Sequence, residues 1–242
     1  MEALSLFVSV PVASFRAPQA REYFETLSCP PPSTVYGMLL ALVGEPNRLR
    51  HLGAEIALAL VSAPEHSVVL RTLWRVKSKE TGPGIGENKR PDFQELLTGI
   101  RLAVWVRAGS AEAANPSLAE RLRRAVTAPA TASRFGGLSL GESTHLVDEV
   151  RLLRADDGHE GQFLVRDPRG NLALPVWPDH VGSAGTLWEQ YGLVALPLTG
   201  EVRADAWTAI KRRTDHVMQP RTASTARTFL RAAPGPAPRS RR

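Results

Sequence analysis

Between Cys29 and Glu45 the apolar positions Val35, Met38, Leu39, Leu42 and Val43 fall at i, i+3, i+4, i+7 and i+8, which is one face of an α-helix. Leu40 and Ala41 leave little polar surface, so this helix is expected to be buried on most sides. Pro30, Pro31 and Pro32 impose an extended approach, because each fixes φ and disfavours helix in the residue before it. Ser33 is read as the N-cap, its hydroxyl accepting from a first-turn N–H. Gly44 suits the helix stop, and Pro46 prevents resumption. Gly37 and Ala41, four apart, make a smooth ridge open to close approach. The helix start is a candidate phosphate position, since free N–H groups and a partial positive charge meet there.

Elsewhere the pattern predicts strands over 4–12, 55–62, 68–76, 100–106, 147–153, 162–165, 172–176 and 193–198. Residues 77–90 break it, with Gly82, Gly84 and Gly86 at alternate positions, and read as a mobile basic projection between two strands. Pro91-Asp92 opens a short helical piece carrying Phe93, Leu96 and Leu97. Asn115 as cap and Pro116 at the first helical position begin a second helix. That helix buries Leu118, Leu122, Ala125 and Val126 and turns Arg121, Arg123 and Arg124 outward; residues 205–213 predict another short helix. Over the first 155 residues the order is strand, helix, strand, strand, helix, strand. This is the order of the ferredoxin-like or RRM-type α+β fold, with an extra hairpin before the third core strand. The expected division is a domain over 1–155 with its projection at about 71–99, a smaller β-rich part over 156–213, and a flexible basic tail over 214–242.

Charge changes the picture in two places. The chain of 242 residues carries a net charge of +6, but residues 203–242 hold ten Lys/Arg against Asp205 and Asp215. The body is therefore near neutral. A second excess lies at 71–90, where Arg71, Arg75, Lys77, Lys79, Lys89 and Arg90 face Glu80 and Glu87. Two separate basic regions on a neutral body point to a polyanion met at particular places. The single cysteine, Cys29, excludes an internal disulfide framework and a cysteine-rich metal site. No apolar run reaches the length of a membrane span, and no signal peptide is recognisable, so the expected compartment is the cytoplasm and no membrane contact is expected.

Three motifs invite catalytic or cofactor readings. Gly137-Leu138-Ser139-Leu140-Gly141 matches G-x-S-x-G, but no hydrophobic strand precedes it and no helix follows, as a nucleophile elbow requires. The glycines at 82–86 fit neither a dinucleotide loop nor a P-loop. The six histidines form no i, i+4 pair, so neither metal nor cofactor is expected. Arg134-Phe135-Gly136-Gly137 instead combines a cation, an aromatic face and backbone freedom, a set that can hold a phosphate and stack on a base.

Several of these pieces together resemble the CRISPR-associated Cas-five family of RAMP proteins. The carrying block is Pro30-Pro31-Pro32-Ser33-Thr34-Val35-Tyr36-Gly37-Met38-Leu39-Leu40-Ala41 with Gly44, following a first strand and a loop that contains Arg16. The region 71–90 is similar to the family's β-hairpin thumb, and Arg134–Gly141 to its late glycine-rich segment. The resemblance covers about the first 150–200 residues.

It implies a RAMP domain with a thumb, in a non-catalytic subunit of a type I Cascade complex that caps the 5′ handle of the crRNA. The implied partners are that RNA, a backbone subunit of the Cas-seven type and a large subunit of the Cas-eight type. The basic tail is left open to target DNA, guide RNA or neither. RNA contacts are expected at Arg16, Ser33, Thr34, Tyr36 and Gly37, at Arg75, Lys77, Lys79, Lys89 and Arg90, and at Arg134, Phe135, Gly136, Gly137 and Ser139. Two other readings stand beside this one. Some family members cut repeat RNA with tyrosine, lysine and histidine; Tyr36 is available, but Lys89 is followed by Arg90 rather than histidine. A stand-alone RRM-like regulator would need an aromatic pair on its central strands, which is not evident.

Overall fold

Alternation along the central strands assigns their faces. The computed structural model describes residues 3–18, 20, 23–134, 136–180 and 185–213. The strands are β1 (Leu4–Ala13), β2 (Tyr23–Phe24), β3 (Glu55–Leu60), β4 (Glu65–Trp74), β5 (Lys89–Arg107), β6 (Glu149–Leu152), β7 (Glu160–Arg166), β8 (Leu172–Trp177), β9 (Leu187–Pro197) and β10 (Thr208–Ala209). Two helices accompany them, α1 (Pro32–Leu42) and α2 (Leu118–Thr127). The chain is thus α+β, built on one ten-stranded sheet in the order β6-β1-β5-β3-β7-β9-β8, with β2 and β4 also pairing with β5 and β10 with β3. Every pair along that path is antiparallel.

Leu6, Val8 and Val10 of β1, Ile56 and Leu58 of β3, and Ile100, Leu102 and Val104 of β5 share one core with both helices. The intervening residues Ala57, Ala59, Ala103 and Trp105 belong to a second core on the opposite face, closed by Leu198, Ala206 and Trp207. Both faces of the central strands are therefore covered, at about 25 cal/mol per Å² of apolar area removed from water. Leu164, Leu174, Val176 and Tyr191 join the helix-side core, so β7 to β9 continue the sheet and β8 packs on α1.

Four local expectations are corrected. Helix α1 begins two residues early: Pro31 is its N-cap, Pro32 starts it, and no side chain caps it. Ser33 is already helical, because a proline at the first turn needs no amide partner. The helical piece after Pro91 is strand, since residues 89–98 pair along their whole length with β4 and inter-strand bonding overrides the local apolar spacing. The second helix is capped by Ser117, after a cis Asn115–Pro116 bond; the Ser117 hydroxyl accepts from the Glu120 amide and the Glu120 carboxylate accepts from the Ser117 amide. The short helix over 205–213 is a single tight turn at Ala204–Ala206 followed by β10, which pairs with β3.

Candidate nucleic-acid interface

The end of α1 carries the proposed phosphate position, and its local chemistry is narrower than the sequence implies. Pro32 has no N–H, and the Thr34 and Val35 amides bond to the Pro31 carbonyl at 2.9 and 3.1 Å. The first turn thus presents the Ser33 amide and the Ser33 and Thr34 hydroxyls. At the other end Gly44 adopts φ 64°, its amide bonding Ala41 O at 3.1 Å while the Glu45 amide reaches Leu40 O at 2.9 Å. This left-handed stop favours glycine twice over, because a Cβ there would lie 1.8 Å from the Ser133 carbonyl oxygen.

Along the exposed side of α1 runs a groove of about 360 Å³. Ser33, Gly37 and Ala41 of α1 line it together with Ser139, Gly141, Arg48, Trp177 and His180. The space beside Gly37 is open: a Cβ there would meet nothing within 4 Å. Tyr36 also lines the groove but is almost wholly buried. Its hydroxyl donates to the Arg48 carbonyl at 2.9 Å, its ring lies 6.5 Å from Trp177, and burial pushes its pKa up to about 12. Arg48 lies 3.8 Å over the Trp177 ring and donates to the Pro178 carbonyl at 3.0 Å. Arg48, Trp177 and His180 were not legible as site residues, since only the curl of the sheet brings β8 onto α1.

The β4–β5 hairpin holds the second group. Arg75, Lys77, Lys79 and Lys89 are exposed. Arg75 Nε donates to the Glu87 carbonyl at 3.1 Å, and Lys77 Nζ sits 3.3 Å from Glu87 Oε2. Arg90 differs, because it donates to Asp92 Oδ1 at 2.9 Å and that carboxylate is fully buried. The connecting loop is not a loose tether. Buried Asn88 accepts from the Lys77 and Ser78 amides at 2.7 and 2.9 Å and donates to the Ser78 and Thr81 carbonyls at 2.7 and 2.6 Å. One amide side chain replaces the missing hydrophobic core of a glycine-rich loop.

Arg16, expected as an RNA contact, lies over the Phe24 ring at 4.3 Å, with Arg71 on the same ring at 5.4 Å. The segment after the glycines joins the two regions. Glu142 accepts from Gln94 Nε2 at 2.8 Å and lies 3.7 Å from Arg71, while Gly141 borders the α1 groove. His145 anchors this segment, its Nδ1 accepting from the Ser14 and Glu142 amides, each at 3.2 Å. Burial, aided by Arg71, lowers its pKa, against the opposing pull of Glu142. With that nitrogen engaged, His145 is no base for Ser139, which makes a bridge with Leu146 rather than a strand-to-helix elbow. Arg134, Gly136 and Gly137 are exposed; Phe135 lies outside the described residues, as does the tail over 214–242. Among the described residues no cluster of His, Cys, Asp and Glu could hold a metal ion, and no helix is long and apolar enough to cross a membrane.

Not every cation is available to a ligand. Arg121, expected outward, turns into the protein and contacts Glu45 at 2.5 Å, His51 Nε2 at 3.0 Å and the Val43 carbonyl at 3.1 Å. His51 Nδ1 in turn lies 2.7 Å from Glu112, whose Oε1 also accepts from the Leu118 amide at 2.8 Å. This buried chain ties the end of α1 to the start of α2. The sheet face opposite the helices is closed as well: Arg151, paired to Asp157, covers Phe7 at 4.2 Å, and Trp105 stacks on Phe163 at 5.0 Å beneath Trp207. Phe7 and Trp105 are 6% and 5% exposed, so neither can receive a base there.

A large antiparallel sheet carrying two helices, a basic hairpin and a helix-side groove makes this an α+β protein. The structure superposes with a TM-score of 0.55 and 16% sequence identity on a chain of a solved CRISPR RNA-guided surveillance complex, covering 81% of this chain and 90% of that one. A weaker likeness, TM-score 0.48 at 14% identity, is to a solved Cas protein. The sequence is 44% identical over 187 residues to the CRISPR-associated protein Cas5 of Myxococcus xanthus (strain DK1622), spanning 77% of this chain and 87% of that relative. This chain belongs to the CRISPR-associated Cas5 family, the Cas-five family of the resemblance above. No family model matches the sequence.

Proposed function

We propose that this protein is a non-catalytic subunit of a type I CRISPR effector complex that binds and caps the 5′ handle of the crRNA. The observation that carries the reading is the exposed basic hairpin, Arg75, Lys77, Lys79 and Lys89, on a Cas5-family chain whose fold matches one from an RNA-guided surveillance complex. The strand order β6-β1-β5-β3, with α1 after the first core strand and α2 after the third, supports a ferredoxin-like RAMP domain. In this reading the hairpin is the thumb. The α1 groove, with Ser33, Thr34, Gly37 and Ser139, receives the handle, and Arg16, Arg134, Gly136 and Gly137 border its path. Tyr36 supports the groove from below through its bond to Arg48. A backbone subunit and a large subunit complete the assembly in the cytoplasm. The division into residues 1–155, 156–213 and 214–242 is functional in this scheme, with RNA held by the first. The inward Tyr36, its hydroxyl held by the Arg48 carbonyl, supports the absence of catalysis.

Co-expression with a repeat-spacer array and the neighbouring subunits tests this. Purified complexes are expected to carry handle-containing RNA, and repeat RNA incubated with the subunit alone is expected to remain uncut. Complexes that assemble fully without RNA, or specific cleavage products, overturn the reading.

A further inference from the structure

The hairpin has two faces, and they are covered to different extents. On the inner face Arg71, Asp92 and Gln94 pack toward Glu142 and Phe24. On the outer face, β4 register pairs Trp74 with Lys89, Thr72 with Pro91 and Leu70 with Phe93. Residues directly opposite in an antiparallel pair share a face, so Trp74 and Lys89 stand side by side in solvent. Trp74 is 73% exposed, well above Trp188 at 42%, while Trp105, Trp177 and Trp207 are at most 8% exposed.

The indole is nevertheless held. The loop backbone at Gly84, φ +72°, lies so close that a Cβ there would sit 2.6 Å from Trp74 Cε2. Asn88 fixes the same loop and, through the Lys77 amide, the start of its basic run. One face of the ring therefore rests on glycine, and the loop is organised before any ligand arrives. Leu70 and Phe93 lie four residues along the strand, roughly 13 Å away, with Thr72 and Pro91 between. That spacing separates Trp74 from the ring pair that Phe93 makes with Tyr23 at 6.2 Å. Trp74 is bordered by Lys89 beside it and by exposed Arg75, Lys77 and Lys79 in the loop, together with the exposed side chains of Val76 and Ile85.

We propose that Trp74 is a stacking platform for one base of a single-stranded nucleic acid, with Lys77 and Lys89 contacting the flanking phosphates. The proposal rests on the reading of the hairpin as a nucleic-acid-binding thumb and adds the residue that would set the path of the strand across it. Stacking tolerates any base, because every base has a π face, so the platform would position the strand without reading its sequence.

The test is a titration of the full chain with a single-stranded homopolymer RNA and with the DNA of the same sequence. Binding is followed by tryptophan fluorescence and, separately, by anisotropy of labelled strand. The wild-type protein is expected to show saturable quenching. Trp74→Leu should abolish most of the quenching and weaken binding by about five- to a hundred-fold, with Trp74→Phe intermediate. Lys77→Ala and Lys89→Ala should keep the quenching while reducing the salt dependence. Tighter binding of the RNA supports a guide-strand ligand, and tighter binding of the DNA supports a target-derived strand; both uphold the platform. Unchanged affinity in Trp74→Leu overturns it, and the thumb reading survives that result if the lysine variants still bind weakly. If the lysine variants are also unchanged, both fall. Loss of subunit assembly in Trp74→Leu with intact nucleic-acid binding also overturns the platform, because Trp74 would then be a protein contact.

Discussion

Arg121 on α2 and Lys89 on β5 both count toward the positive charge, yet the fold uses them in opposite ways. Arg121 is 18% exposed and is spent on Glu45, His51 and the end of α1. Lys89 stands in solvent opposite Trp74. The first region is a buried chain of hydrogen bonds linking Arg121, Glu45, His51 and Glu112; the second is a surface whose cations are loosely engaged and whose aromatic faces outward. Buried polar groups resist substitution because an abandoned partner remains desolvated, whereas exposed cations can be exchanged for phosphate contacts at little cost. Arg90 shows the difference within the hairpin itself: it lies one residue from Lys89, but it serves the buried carboxylate of Asp92.

The largest effect should come from breaking the buried side of this contrast. Arg121→Met is expected to destabilise the protein by about 3 kcal/mol, a fall in Tm on the order of 5–10 °C, without lowering the salt slope of RNA binding by the folded fraction. Thermal unfolding beside a binding titration checks both halves; a weakened salt slope with normal Tm would erase the distinction. On the exposed side, the combined Lys77→Ala, Lys79→Ala, Lys89→Ala variant should leave stability within about 0.5 kcal/mol of wild type. Its salt slope for single-stranded RNA should fall by up to about 2, at roughly 0.7 per lost phosphate contact. Arg90→Ala is best kept out of that variant, because it strands Asp92.

The smallest effect tests the segment that joins the two regions. His145 has a folded-state pKa below its ordinary value, so its neutral form is the one that the fold favours. Its contribution is full above about pH 6.5, the ordinary histidine value, and declines as the pH falls below that toward the folded value. Asparagine can present an acceptor to the Ser14 and Glu142 amides without titrating in this range. His145→Asn is therefore expected to give a shallower fall in Tm between about pH 7 and pH 5 than wild type. An unaltered slope would assign the acid sensitivity elsewhere.

Much of this protein was determined by sequence alone, where the information is local. The helix over α1, its stop at Gly44, the buried face of α2 and the central strands follow from periodicity and from residues with fixed backbone preferences. The basic run before β5 and the proline-braced block that led to the family were equally direct. Tertiary structure decided what depends on partners distant in sequence. Residues 89–98 became strand because β4 offered a full ladder, against a helical spacing of Phe93, Leu96 and Leu97. Arg121 turned inward because Glu45 and His51, some seventy residues away in sequence, needed a shared donor. Tyr36 left the surface once β8 brought Trp177 over α1. A cation in a sequence carries the same charge in every environment; which acceptor lies within about 3 Å of it, and whether water also reaches it, is set only when the chain closes on itself.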